Sequence, residues 1–122
     1  IKVMARVILT ERAKTDLKSI YEYSIEEFGI RTADKYLENI QTSLEILQEQ
    51  PNLLLKKPSI SKHFSLYQSG KHWLVCEKQG DLIYIVTVKH SSLDMFERLN
   101  ELMPLIEKEI ALLKKRFPHP RE

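Results

Sequence analysis

Lysine and histidine carry most of the chemistry this sequence offers. Between positions 56 and 89 the cations are Lys56, Lys57, Lys62, Lys71, Lys78 and Lys89, joined by His63 and His72, and the acids are Glu77 and Asp81 alone. Imidazoles that titrate near neutral pH beside fixed ammonium groups suit proton transfer next to a phosphate or carboxylate. If the strands carrying them converge, Lys62, His63, His72, Lys89 and His90 form an acid–base group. The alternative is a solvated cationic face of the kind that keeps sheet edges from pairing.

Other chemistries lack the spacing they need. There is no His-x-x-x-His or Cys-x-x-Cys pair for zinc, and Gly29, Gly70 and Gly80 lie too far apart for a phosphate-cradling loop. Cys76 stands in an apolar run and reads as a packed thiol. No cofactor and no metal are implied. The chain has 122 residues, 43% hydrophobic and 30% charged, with a formal net charge of +2. That describes one ordinary folded domain, and a charge too small to announce a nucleic-acid binder. No apolar run approaches the roughly 20 residues that span a bilayer. The chain opens on Ile1, as a trimmed chain would, without a signal-peptide pattern, and holds a single cysteine. A cytoplasmic protein without a membrane partner is the expectation.

The elements that must position these groups follow from periodicity. Val7-Ile8-Leu9 reads as a strand, and Thr10 as the N-cap of a helix with Glu11 in its first turn. Ala13, Leu17, Ile20, Ser24 and Phe28 form one helical stripe, and Gly29 ends it. Ala33, Tyr36, Leu37, Ile40, Leu44 and Leu47 form a second stripe, stopped by Pro51, so the two helices make an antiparallel hairpin. Residues 52 to 61 read as a loop. Strands follow over about 63–68, 72–78 and 82–89, with Ser69-Gly70 and Gln79-Gly80-Asp81 as tight turns between them. Trp73, on the opposite face of its strand from His72, is expected in the core.

Ser91-Ser92-Leu93-Asp94 starts a last helix, whose apolar positions are Phe96, Leu99, Met103, Ile106, Ile110, Leu113 and Phe117. That seam must be buried, either back on the sheet or against a second copy, making a homodimer through the C-terminal helix one expected partner arrangement. Pro104 is expected to kink or divide the helix. The fold class is therefore α+β in β-α-α-β-β-β order: a helical hairpin on a four-stranded, mainly antiparallel sheet, plus a C-terminal helix. It forms one domain over 1–122, with its core in 6–91 and a helical extension over 92–117.

Ala13, Asp16, Leu17, Ile20 and Tyr23, then Phe28-Gly29, Ala33, Tyr36, Ile40, Leu47 and Pro51, carry a resemblance that continues along the chain. It resumes at Tyr67-Gln68-Ser69-Gly70-Lys71-His72, Ile85-Val86-Thr87-Val88 and His90-Ser91-Ser92-Leu93-Asp94, with Arg98-Leu99. Together these resemble the ParE branch of the ParE/RelE toxins of type II toxin–antitoxin systems, which includes plasmid stabilisation toxins. Much of the pattern is fold: Ala13, Leu17, Ile20, Ala33 and Ile40 would line the hairpin, and Asp16 and Tyr23 would staple it to the sheet.

The resemblance implies a toxin that arrests growth by binding DNA gyrase and is neutralised by a cognate antitoxin. The RelE-like alternative is a ribosome-dependent mRNA endoribonuclease using Lys62, His63, His72, Lys89 and His90. The span from Leu53 to Leu93 contains no arginine, and no Tyr follows His90, which favours the ParE-like reading. For target binding the implied residues are Lys71, His72, Lys89 and His90. For the antitoxin they are Tyr21, Ile25, Leu53, Leu54 and Leu55, which lie off the core stripes or in the loop. Asp94 would cap the last helix. Two departures stand out: Cys76-Glu77 where ParE-like chains usually read Tyr-Arg, and Leu93 where an arginine is common. They leave open an inactive homologue that only binds antitoxin.

Overall fold

Thr10 turns the chain from its first strand into its first helix and serves both. Its hydroxyl accepts the Ala13 amide at 3.0 Å as the N-cap and donates to the Val86 carbonyl, also at 3.0 Å, on an inner strand of the sheet. This anchor sits in a computed structural model that describes residues 4–56, 64–90 and 95–116, the last stretch with side chains from residue 100 onward. Its elements are β1 (Arg6–Leu9), α1 (Glu11–Phe28), α2 (Ile30–Glu49), a 3-10 turn (Pro51–Leu53), β2 (Leu55–Lys56), β3 (Ser65–Ser69), β4 (His72–Gln79), β5 (Leu82–His90) and α3 (Met95–Arg116).

The sheet order is β1-β5-β4-β3-β2, with β1 parallel to β5 and every other pairing antiparallel. Among the described residues the sheet thus has five strands where four are expected. β2 is the addition, two exposed residues paired to β3 through the backbone, too short for any hydrophobic alternation to mark. The hairpin is as expected: Gly29 alone joins α1 to α2, its amide donating to the Ile25 carbonyl at 3.0 Å and its carbonyl accepting from Ala33 at 3.2 Å.

The sheet is buried on both faces. On one, Leu74, Cys76, Ile83 and Ile85 pack against Ala13, Ile40 and Leu47 of the hairpin. On the other, Leu66, Val75, Leu82, Tyr84 and Val86 pack against Ile106 and Ile110 of α3. The C-terminal seam therefore folds back on the sheet, and the architecture is helix–sheet–helix. Trp73 is half-buried beside this second core. Burying Ile106 and Ile110 is worth about 1.5–3 kcal/mol each. Two ion pairs fix the helix: Arg12 bridges to Glu109 at 2.8 Å, and Lys114 to Glu77 at 3.7 Å. Pro104 does not divide α3; its ring faces solvent, where water can serve the carbonyl that loses its donor. Phe96, Leu99 and Phe117 of the expected seam, and the Ser91–Asp94 cap, lie outside the described residues or side chains.

The outer end of the hairpin differs from its expected inner stripe. Phe28 is 56% exposed and Tyr23 60% exposed, so neither is core and Tyr23 is no staple to the sheet. The stripe runs off the sheet because α1 starts level with Val86, in the middle of β5, and its 18 residues carry it past the end of that strand.

Gly29 sits at φ +89°, ψ 166°, a conformation essentially reserved for glycine, with open space where a Cβ would stand. Gly29→Ala is therefore expected to cost about 1–3 kcal/mol through the backbone alone. Urea unfolding measures this, and an unchanged midpoint would contradict it.

Candidate functional site

The alternation of β5 breaks at its middle, and the break builds the site. Val75 pairs with Thr87 but Cys76 with Ile85, so Val86 is passed over as a bulge. Before it, Ile83 and Ile85 face the hairpin; after it, Val88 does. His90 then lies directly across from His72, and both reach the hairpin face. Without the bulge, residue 89 would hold that place.

Asp16 of α1 pins the bulge. Its Oδ2 accepts the Thr87 hydroxyl and the Val88 amide, the latter at 3.0 Å, and Lys89 Nζ lies 3.8 Å from Oδ1. The expected staple is real, and its target is the irregular stretch of the strand. Bulged backbone leaves a donor without a strand partner, and a carboxylate from the packed helix satisfies it.

Under the closed end of the hairpin these residues enclose a cleft of about 450 Å³. Ile20, Ser24, Tyr23 and Phe28 come from α1 and its end, Tyr36 from α2, Lys71 from the β3–β4 turn, and His72 and His90 from β4 and β5. Five rings run edge-to-face across it: Tyr23 to Phe28 at 6.5 Å, Phe28 to Tyr36 at 6.4 Å, Tyr36 to His72 at 5.5 Å, and His72 to His90 at 5.5 Å. Such contacts hold aromatic side chains in fixed orientation. Lys71 and His90 bring positive or titratable groups to the rim, where both are exposed.

His72 is 4% exposed, not the surface strand-end residue that a target contact needs. Burial first, then the neighbouring His90 and Lys71, hold its pKa below the usual 6.5. It is a neutral, packed imidazole at neutral pH.

Of the other sequence candidates, Lys89 is turned to Asp16. Lys62 and His63 lie outside the described residues. Tyr21 ties the two helices together, its hydroxyl donating to Asp34 at 2.7 Å, which raises its pKa. Ile25, Leu53 and Leu55 are exposed by 36%, 39% and 50%, whereas Leu54 packs on the hairpin-side core and is not a free anchor. Glu77 is engaged with Lys114 and Gln79 rather than presented outward. Burial pushes the Cys76 thiol far above its ordinary range, which leaves it inert. Tyr84, fully buried on the α3 side, has a hydroxyl without a hydrogen-bond partner among the described residues. Among the described residues no three His, Cys, Asp or Glu side chains gather to hold a metal ion, and no helix is long and apolar enough to cross a membrane. Sequence reasoning missed Tyr23, Phe28, Tyr36 and Ser24 as cleft residues. Their helical spacing is a core signal, and nothing in it shows where the sheet ends.

This architecture has a counterpart among solved structures. A solved chain titled "Chromosomal ParDE TA system from P. aeruginosa" superposes with a TM-score of 0.62, 21% identical, covering 73% of this chain and 98% of that one. At that identity the likeness speaks for the fold. Toxin ParE1 of Caulobacter vibrioides is 29% identical over 86 residues, 70% of this chain and 88% of that protein. The family described as "ParE toxin of type II toxin-antitoxin system, parDE" matches residues 7–95. The chain belongs to the ParE toxin family of type II toxin–antitoxin systems.

The buried His72 carries a pH dependence. A histidine whose folded pKa is lowered contributes stability above its unfolded value of about 6.5, lost as pH falls through that value toward the folded one. The groups facing it are His90, Lys71 and Tyr36. The melting temperature of the wild type is expected to fall more steeply between pH 7.5 and 5.5 than that of His72→Phe. Parallel curves would contradict a buried neutral imidazole.

Proposed function

We propose that this chain arrests growth by binding DNA gyrase in the cytoplasm, without covalent chemistry of its own, and that a cognate antitoxin neutralises it. The observation that carries this reading is the family match over residues 7–95, which spans every element that builds the cleft. The cleft's chemistry is consistent with a protein contact. Tyr23 and Phe28 are large, exposed and held by neighbouring rings, the kind of side chain that anchors interfaces at little entropic cost. In this reading Lys71 and His90 touch the target, and His72 positions His90 from below. Ile25, Leu53 and Leu55, with Tyr21, are the surface for the apolar anchors of an antitoxin segment that folds on binding.

A second reading has one observation in its favour. His72, His90 and Lys71 share the cleft, and two imidazoles with an ammonium group can move a proton and hold a phosphate, as RNA cleavage requires.

The deciding experiment mixes the purified protein with gyrase, ATP and relaxed plasmid. Supercoiling is expected to be inhibited and gyrase-dependent DNA breaks to accumulate, both suppressed by added antitoxin. Folded protein that leaves gyrase untouched would sink the proposal; codon-phased mRNA breaks on ribosomes would then establish the nuclease, and absence of both an inactive, antitoxin-binding homologue.

A further inference from the structure

α3 starts where the family match ends, and its outer flank is as ordered in pattern as its inner one. At about 100° per residue, Glu101, Leu105, Leu112 and Arg116 fall on one face, turned away from Ile106 and Ile110. Leu105 is 53% and Leu112 63% exposed, two large apolar side chains seven residues apart on a helix that already has its core. Beside Leu112 a groove of about 210 Å³ opens between α3 and the start of α1, lined by Thr10, Glu11, Glu109, Leu112, Leu113 and Arg116.

We propose that this flank pairs with the same flank of a second copy, antiparallel, about a two-fold axis between positions 108 and 109. The flank is complementary to itself in that one direction. Such an axis sets Leu105 opposite the partner's Leu112, at the mouth of the groove, and Glu101 opposite the partner's Arg116. Two-fold symmetry makes each contact twice, so four leucines and two opposite-charge pairs meet along about 22 Å of helix. Parallel pairing would instead face Glu101 with Glu101 and Arg116 with Arg116, and would align the helix dipoles head to head. The charge on α3 is laid out along its length: Glu101 stands at one end of the flank, Lys115 and Arg116 at the other, and Lys108 at its centre, where the two-fold axis sets it opposite position 109 of the second copy. An apolar pair bracketed this way selects a copy of itself over an unrelated partner. An interface of this length belongs to the small, reversible class, so the dimer is concentration-dependent.

Sedimentation velocity of the full chain tests this against the 14.4 kDa monomer. The wild type is expected to move toward twice that mass as concentration rises. Leu105→Asp should abolish the shift without changing the melting temperature, since the side chain is outside the core. Glu101→Arg and Arg116→Glu should each weaken association about tenfold, and the double variant should restore it. A mixture of Leu105→Cys and Leu112→Cys proteins should form a disulfide between them, while Leu105→Cys alone should not, being about 10 Å from its copy and beyond disulfide reach. A wild type that stays monomeric at all concentrations overturns the proposal and leaves the flank to another occupant, such as an antitoxin segment. A dimer indifferent to the charge exchange overturns it equally.

Discussion

The contact between Asp16 and the middle of β5 is the constraint on which the rest of the molecule depends. β5 is the strand that touches everything: β1 on one side, β4 on the other, the hairpin above and α3 below. A strand buried on both faces has no solvent to forgive an irregularity, yet this one carries a bulge. The carboxylate of Asp16 satisfies the backbone there and the Thr87 hydroxyl beside it. Thr10, six residues earlier on the same helix start, bonds the carbonyl of Val86, the residue the ladder skips. Two side chains from one helix thus complete the hydrogen bonding of one bulge, and the hairpin is locked in register with the sheet.

That locking has a structural consequence at the strand's end. The bulge reverses which residues of β5 face the hairpin, and so brings His90 against His72, which packs in turn on Tyr36. The cleft is the space left where the hairpin overshoots the strands, floored by imidazoles and walled by Tyr23 and Phe28. Rigid scaffold and exposed surface are made by the same packing. The opposite face of the sheet belongs to α3, held by its apolar seam and by the Glu77–Lys114 and Arg12–Glu109 pairs. Glu77 thus has a structural partner in this chain's own last helix.

Much of this was legible in the sequence, where elements have strong periods. The two amphipathic stripes, the Thr10 cap, the Gly29 turn and the three long strands all stand close to where their residues put them. Asp16 was readable as a staple through the family resemblance, which did not show the bulge that it serves. What was not legible is what depends on distance between elements. β2 has no pattern in two residues; the bulge shows no Gly or Pro in Val86-Thr87; and the exposure of Phe28 reflects how far a helix extends past a sheet. The neutral, buried state of His72 depends on the hairpin lying over that end of β4, and so was equally hidden. Leu54 looked like Leu53 and Leu55, and only the turn at Pro51 decides which of the three points inward.

The cleft as working surface is tested most directly in cells. Wild-type protein and a Tyr23→Ser, Phe28→Ser, Lys71→Glu variant would be induced without antitoxin, after matched melting temperatures confirm that both fold. Growth is expected to stop on induction of the wild type and to continue at equal levels of the variant. A variant that arrests growth as fully as the wild type would place the toxin's working surface elsewhere on the molecule.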